Sequence, residues 1–409
     1  MGFAELFALL GFGGGAVYAT DWPELLGPTR NGVYDGPDLA EAWPKGGPPI
    51  VWRKTVGQGF SGPVVSAGKL ILFHRKSNKE VVDCFDAQKG ERLWSVDYPT
   101  AYRDDFGFDE GPRATPTIAG QHVFTFGAEG MLQCLELATG KKVWSVDTKA
   151  AFQADKGFFG MACSPLAEGS VVIVNIGGRN GAGIAAFDRT TGKVIWKATD
   201  DEASCSSPTA AAINGSPCAL VLTRSELVAL DPANGRIRFQ YPFRPPMQAS
   251  VTAATPLVID DLIFISASYG TGAALLQVQG DAVKKLWAAD DILSNHYATS
   301  VHRENFLYGF DGRQEQGCNL RCVELRGGKV RWSQDGFGAG TLIMAKGDLL
   351  ILTEKGELVR APATPAGFKP AGKAQILSFQ VRAHPALADG FLYARSKDQL
   401  VCVDLGKRN

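Results

Sequence analysis

VVDCFDAQKGERLW, from Val81 to Trp94, decides the fold, because the same phrase returns along the chain. It consists of a strand-like run, a turn of the form Asp-x-x-x-Gly, and a short strand ending in tryptophan. Further copies are LQCLELATGKKVW ending at Trp144, IAAFDRTTGKVIW ending at Trp196, and LVALDPANGRIRF ending at Phe239. LRCVELRGGKVRW ends at Trp332, and a degenerate copy, LLQVQGDAVKKLW, ends at Trp287. A period of about 45 residues is the signature of a modular array.

Each unit has a front half. A Ser/Thr/Gly-Pro pair opens a hydrophobic strand, a Gly or Asp turn follows, and a second strand comes next. SGPVVSAGKLILF starts at Ser61, ATPTIAGQHVFTF at Ala114, CSPLAEGSVVIVN at Cys163 and ATPLVIDDLIFIS at Ala254. The copy at Ala298 lacks the proline, and the one at Ala383 has it. Apolar/polar alternation, β-branched and aromatic residues, and Gly/Asp/Asn turns predict short antiparallel strands, four to a unit. One such sheet cannot bury both faces. Radial stacking of the sheets can, which predicts an all-β fold, a β-propeller.

Trp94, Trp144, Trp196, Phe239, Trp287 and Trp332 close six blades. A seventh unit runs from about Gly340 to Leu377, and an eighth starts near Arg382 and stops at Leu405 without a tryptophan strand. The missing strand stands at the other end of the chain, in PPIVWRKTV with Trp52. The expectation is an eight-bladed propeller of four-stranded antiparallel blades over residues 50–409, its ring closed by the N-terminal strand. Closure of this kind removes a sheet edge that would otherwise pair with other chains. Residues 20–49 form a lead-in.

The 409 residues are 45% hydrophobic, enough for a ring that takes up the chain as a single domain. Lys plus Arg and Asp plus Glu both number 42, and no long basic run exists, so binding to nucleic acid is not expected. Met1–Ala19 is apolar, Gly-rich and ends in Val-Tyr-Ala, an A-x-A-like cleavage site, which reads as a secretory signal peptide. Its start lacks the Lys or Arg of such a leader, and Glu5 interrupts the apolar run; a retained membrane anchor or a short disordered tail is the alternative. The expected location is periplasmic or extracellular, with no transmembrane segment in the mature chain. Cys84, Cys134, Cys322 and Cys402 occupy one strand slot, filled by Ala186 and Ala229 in other blades, and read as small core residues. Cys163 and Cys205 precede the opening prolines of neighbouring blades, where a disulfide or metal pair is the alternative to burial. Cys318 and Cys322 have no histidine at zinc spacing and read as structural.

The segments LELATGKKVW (Leu135–Trp144) and AFDRTTGKVIW (Ala186–Trp196) resemble the tryptophan-docking repeat of pyrroloquinoline quinone (PQQ) quinoproteins. The resemblance spans about Trp22 to Leu405. WPELLGPTRNGVY, Trp22–Tyr34, resembles the lead-in of exported bacterial propellers of this kind. It implies one of two roles. Quinoprotein alcohol dehydrogenases are enzymes with PQQ and calcium; BamB-like propellers are non-catalytic scaffolds of outer-membrane protein assembly. The adjacent Cys-Cys pair, the C-x-x-C-H haem motif and the roofing insertions typical of the enzymes are missing here, and so is the lipid cysteine of BamB-like lipoproteins.

Ligands of a propeller meet the end lined by the loops that precede the innermost strands. Three groups in those loops stand out. Asp104, Asp105, Asp109 and Glu110 offer oxygen ligands for calcium, or form a solvated acidic loop. Arg113 and Arg382 sit where a guanidinium grips a carboxylate-bearing ligand such as the quinone, or pairs with a neighbouring loop carboxylate. Asn295, His296 and Tyr297 join an amide, an imidazole and a phenol, which make a general base given a carboxylate neighbour, or a packed polar loop. Asp311 and Arg313 lie beyond a second strand and are expected to shape an outer loop. Gly177–Gly181 is a hairpin turn, with no helix behind it to cradle a phosphate. The reading is a monomeric, non-catalytic exported module that offers this face to a protein partner or small ligand and needs no cofactor. The alternative is a dehydrogenase using PQQ and calcium to oxidise an alcohol or sugar, with Arg113, Arg382, His296 and Asn295 around the quinone and Asp105, Asp109 and Glu110 around the metal.

Overall fold

Each recurrence of the motif becomes the outer half of one antiparallel sheet. In the computed structural model, which describes residues 20–248 and 250–407, eight such sheets form an eight-bladed β-propeller. The blades span 64–99, 117–147, 166–198, 209–242, 257–289, 301–334, 340–375, and 386–404 joined to Ile50–Thr55. The last pairing closes the ring: Ile50–Thr55 lies antiparallel to Gln399–Asp404, with Trp52 opposite Cys402. The leader reading falls on residues 1–19, outside the described residues. No helix among the described residues is long and apolar enough to cross a membrane.

The motif is an inter-blade clasp. On the third strand of each regular blade a small residue faces the aromatic: Cys84 opposite Trp94, Cys134 opposite Trp144, Ala186 opposite Trp196, Ala229 opposite Phe239, Cys322 opposite Trp332. The indole then reaches the Asp-x-x-x-Gly turn of the next blade. Trp94 Nε1 donates to Leu137 O at 3.1 Å, Trp144 to Arg189 O at 3.0 Å, and Trp196 to Pro232 O at 2.9 Å. Trp52 does the same to Ala87 O at 3.0 Å and so carries the clasp across the ring closure. The turn glycine supplies the flat floor: a Cβ on Gly235 would come within 2.6 Å of the Trp196 ring, and its φ of +75° also favours glycine. The turn acid holds the loop by accepting backbone N–H groups, as Asp86 does from Gln88 and Lys89. The core consequently divides into layers between neighbouring blades, such as the one uniting Phe124, Trp144, Val172 and Phe187.

A second set of contacts ties the inner ends together. The residue before an opening proline is held extended by the ring behind it, and in four blades the hydroxyl at this position accepts the N–H of its counterpart in the preceding blade. Gly62 N donates to Thr115 Oγ1 (3.0 Å), Thr115 N to Ser164 Oγ (2.9 Å), and Ser164 N to Ser207 Oγ (2.8 Å). Thr255 N donates to Thr299 Oγ1 at 2.9 Å. These hydroxyls form a girdle around the channel.

The lead-in fills the channel. Trp22 bridges to Val65 of the first blade, Ile118 of the second donates its N–H to Pro23 O, and Val33–Tyr34 adds a short parallel strand to the seventh. Arg30, only 3% exposed, pairs with Glu24 at 2.6 Å and donates to Pro208 O at 2.7 Å, to Thr117 Oγ1 at 3.2 Å and to Pro165 O. One guanidinium thereby satisfies groups on three successive blades.

Candidate functional site at the channel mouth

With the far end occupied by the lead-in, the open hollow is at the mouth: a cavity of about 160 Å³. Leu25 of the lead-in lines it, and the walls come from every blade except the seventh. One half of the wall is aromatic, with Phe60, Phe108 and Phe159 from the first three blades. The other half is polar, with Thr255, Tyr269, His296, Tyr297, Gln314, Glu315 and His384 from the fifth, sixth and eighth. Girdle hydroxyls of Thr115, Ser164, Ser207 and Thr299 also line it.

Both expected arginines line this cavity, and each is met by a carboxylate. Arg113 Nη2 lies 3.2 Å from Asp104 Oδ2, and Arg382 Nε lies 2.8 Å from Glu354 Oε1. Their guanidiniums stand 5.4 and 5.1 Å from the centroid of the Phe60 ring, within cation–π range. Asp104 organises its loop. Burial alone would raise its pKa, but the N–H groups of Asp109, Phe106 and Phe108, together with Arg113, outweigh burial and hold it below the usual range.

The acidic loop does not gather into a calcium cradle. Asp105 pairs with Lys156 at 2.7 Å, and Glu110 lies 3.3 Å from Arg103 and 3.5 Å from Arg75. Asp109 Oδ1 accepts the N–H of Gly111 at 2.7 Å, while its Oδ2 has no partner. Among the described residues no three His, Cys, Asp or Glu side chains form a metal-binding group. Apart from Asp109 Oδ2, the side chains expected to hold calcium are thus engaged one by one with cations and backbone N–H groups, and they do not fit the ion.

Asn295 belongs to the blade interior. Its Nδ2 donates to Phe310 O at 2.9 Å and its Oδ1 accepts from Ser300 Oγ at 3.0 Å, and it does not line the cavity. His296 does line it, but the partner of its Nε2 is the Tyr269 hydroxyl at 3.1 Å rather than a carboxylate. Burial pulls its pKa down to about 4, opposed by Glu315 and reinforced by Arg382 and Arg313. His384 is likewise pulled down to about 4 by burial. Both rings are neutral at pH 7. Burial pushes the Cys205 thiol up, away from nucleophilic use, and neither Cys205 nor Cys163 forms a disulfide.

The loop after Asp311 is not an outer loop: Gln314 and Glu315 line the cavity and Arg313 covers Tyr269 at 4.8 Å from its centroid. Strand parity explains this. The first strand leaves the mouth, the second returns, so the connection to the third also lies at the mouth. Counting reversals in the sequence would have placed Tyr269, Gln314 and Glu315 there. Asp311 itself accepts Ser294 N at 2.8 Å and pairs with Arg321 at 2.9 Å.

Residues 77–334 match the family described as outer membrane protein assembly factor BamB. No curated protein sequence matches the chain. BamB from Moraxella catarrhalis is similar in structure, with a TM-score of 0.65 at 15% identity over 88% of this chain and 98% of that one. The quinohemoprotein alcohol dehydrogenase from Comamonas testosteroni gives 0.67 at 15% identity over 95% of this chain and 81% of that one. A europium-containing methanol dehydrogenase gives 0.53 at 11% identity over 94% and 89%. At such identities these likenesses concern the fold, which the scaffold and the enzymes share. The repeat and its docking tryptophans, matched over more than half of the sequence, make this chain a member of the BamB family of PQQ-type repeat propellers.

Proposed function

We propose that the protein is a non-catalytic binding module, a BamB-like scaffold acting outside the cytoplasm, whose loop-rich face docks a protein partner. The observation that carries this reading is an aromatic lip beside the cavity. Phe106 is 51% and Phe158 37% exposed, and Phe106 lies 5.1 Å from Phe159 and 6.4 Å from Phe108, ring centroid to centroid. Exposed aromatics of this kind serve as interface anchors. The lip is held in place before any partner arrives, because Asp104 accepts the N–H groups of Phe106 and Phe108 at 3.1 and 2.8 Å. Preorganisation lowers the entropy cost of docking.

The dehydrogenase reading has less support. The loop carboxylates are individually engaged, the arginines are individually neutralised, and the mouth imidazole has a phenol for a neighbour where a general base wants a carboxylate. The test is site-specific photo-crosslinking in the native host, with a photoreactive residue at Phe106 or Phe158 and a control at Ile195 on an outer strand. A discrete protein adduct at both lip positions and none at the control is expected. Equal labelling everywhere, or none at the lip, would sink the scaffold reading.

A further inference from the structure

Fifteen buried side-chain polar atoms among the described residues lack a hydrogen-bond partner. Five of them belong to residues of this one cavity wall: Thr255 Oγ1, His296 Nδ1, Tyr297 hydroxyl, Gln314 Oε1 and His384 Nδ1. The wall comprises 21 of the 409 residues, so a third of the orphans sit in about a twentieth of the chain. Buried polar atoms are ordinarily satisfied, and a concentration of exceptions calls for a partner from outside the chain. We infer that the cavity is a binding site for a neutral, hydroxyl-rich ring about the size of one monosaccharide.

Three features select that class. Size comes first: about 160 Å³ is close to the engineered cavity of about 150 Å³ that takes a benzene ring. Charge is second. Arg113 and Arg382 are met by Asp104 and Glu354, and the two further charges, Glu315 on the wall and Arg313 over Tyr269, are of opposite sign, so the site carries no net charge to select an ion. The imidazoles are neutral, and Gln314 Oε1 and the Glu315 carboxylate only accept, which favours a ligand rich in O–H donors. Shape is third. The phenylalanines stand in one half of the wall and the orphaned polar atoms in the other. A pyranose presents an apolar C–H face and a rim of hydroxyls, matching both halves. The orphaned atoms are closed off from solvent in the free protein, so occupancy requires the small side-chain rotations common at binding sites.

This inference rests on the cavity wall and is independent of partner docking at the lip. The test is isothermal calorimetry backed by saturation-transfer NMR on the intact chain. The probes are methyl glucoside, methyl galactoside and methyl mannoside, glucuronate as the anion, glucosamine as the cation, and adenine as the flat ring. At least one neutral glycoside is expected to bind saturably with Kd of about 1 mM or tighter. Tyr297→Phe should weaken it about tenfold without lowering the melting temperature, because the hydroxyl removed is buried with no partner in the free protein. Thr255→Val should behave alike. The proposal is overturned if no neutral glycoside binds, if glucuronate, glucosamine or adenine binds in preference, or if both variants bind as the parent does.

Discussion

The indole clasp predicts an asymmetry between two blades. Trp196 is 7% exposed, donates to Pro232 O at 2.9 Å and rests on Gly235. Trp196→Phe keeps the ring but removes the N–H. The net hydrogen bond is worth about 1 kcal/mol, and leaving the buried carbonyl unsatisfied costs about 1–3 kcal/mol. The smaller ring gives up about 1 kcal/mol of apolar burial. Part of the carbonyl penalty already contains the lost bond, so the expected cost is about 2–4 kcal/mol. Phe239 holds the equivalent slot one blade later, opposite Ala229. The fifth blade offers it no receiving turn, since Gln279 and Ala282 pair directly across a two-residue hairpin. Phe239→Trp therefore has no carbonyl to reach and should gain nothing, or lose about 1–3 kcal/mol to overpacking. Urea denaturation of both variants, monitored by circular dichroism and with m-values compared to verify one transition, measures this. A Trp196→Phe cost below about 0.5 kcal/mol, or a gain from Phe239→Trp, would refute the clasp as the source of inter-blade stability.

Two further outcomes follow from the channel. Arg30→Met should cost about 3–5 kcal/mol, because it strands Glu24 and the carbonyls of Pro165 and Pro208; Arg30→Lys should recover under half of that, since an ammonium cannot span three blades. A urea midpoint within error of the parent would show that the plug is dispensable. His296 and His384 have folded pKa values near 4 against an ordinary 6.5, so the unfolded chain binds more protons between these values. Stability is then full above pH 6.5 and falls as the pH drops towards 4, by no more than roughly 3 kcal/mol per ring and less after allowing for partial solvent contact. Melting temperatures across this window should fall less steeply for His384→Gln; a parallel profile would contradict the neutral imidazole.

The sequence carried the ring because the ring is local. A strand, an Asp-x-x-x-Gly turn and a tryptophan are specified within fourteen consecutive residues, as in Val81–Trp94, and their recurrence counts the blades. Even the irregular copies are informative in pairs. The fifth blade lacks the turn and the fourth has Phe239 in place of tryptophan. The eighth draws its third and fourth strands from opposite ends of the chain, with no turn between them, and the seventh places Gly372 in the tryptophan slot. Donor and acceptor of a clasp lie on successive blades, so both are lost together; read one blade at a time, the same changes look like decay. The channel contents were not legible. Arg30 meets carbonyls 135 and 178 residues away, and nothing near Arg30 in the sequence encodes that. The mouth was half legible: Arg113, Arg382 and His296 follow from their place before inner strands. Asn295 shares that place but its amide is taken up inside the blade by Phe310 O and Ser300 Oγ.

The plug also gives the ring a direction. Asp21 accepts from Ser66 Oγ and Ala67 N, in the turn that follows the first inner strand, so the described chain begins at the end away from the cavity. It reaches the cavity floor at Leu25, inserts Arg30 between blades, and leaves beside Met344 and Ala345 at the far end of the seventh inner strand. The far end is thus occupied by protein and its turns are held shut by their own acids, as Asp188 holds Thr190 and Thr191. A ligand entering from that side would have to displace Arg30 and expose two carbonyls and a carboxylate. Entry from the mouth requires only side-chain rotation. Recognition is therefore confined to one face. The described chain begins at the opposite face from the cavity and the Phe106–Phe158 lip, where Thr20 N donates to Asp389.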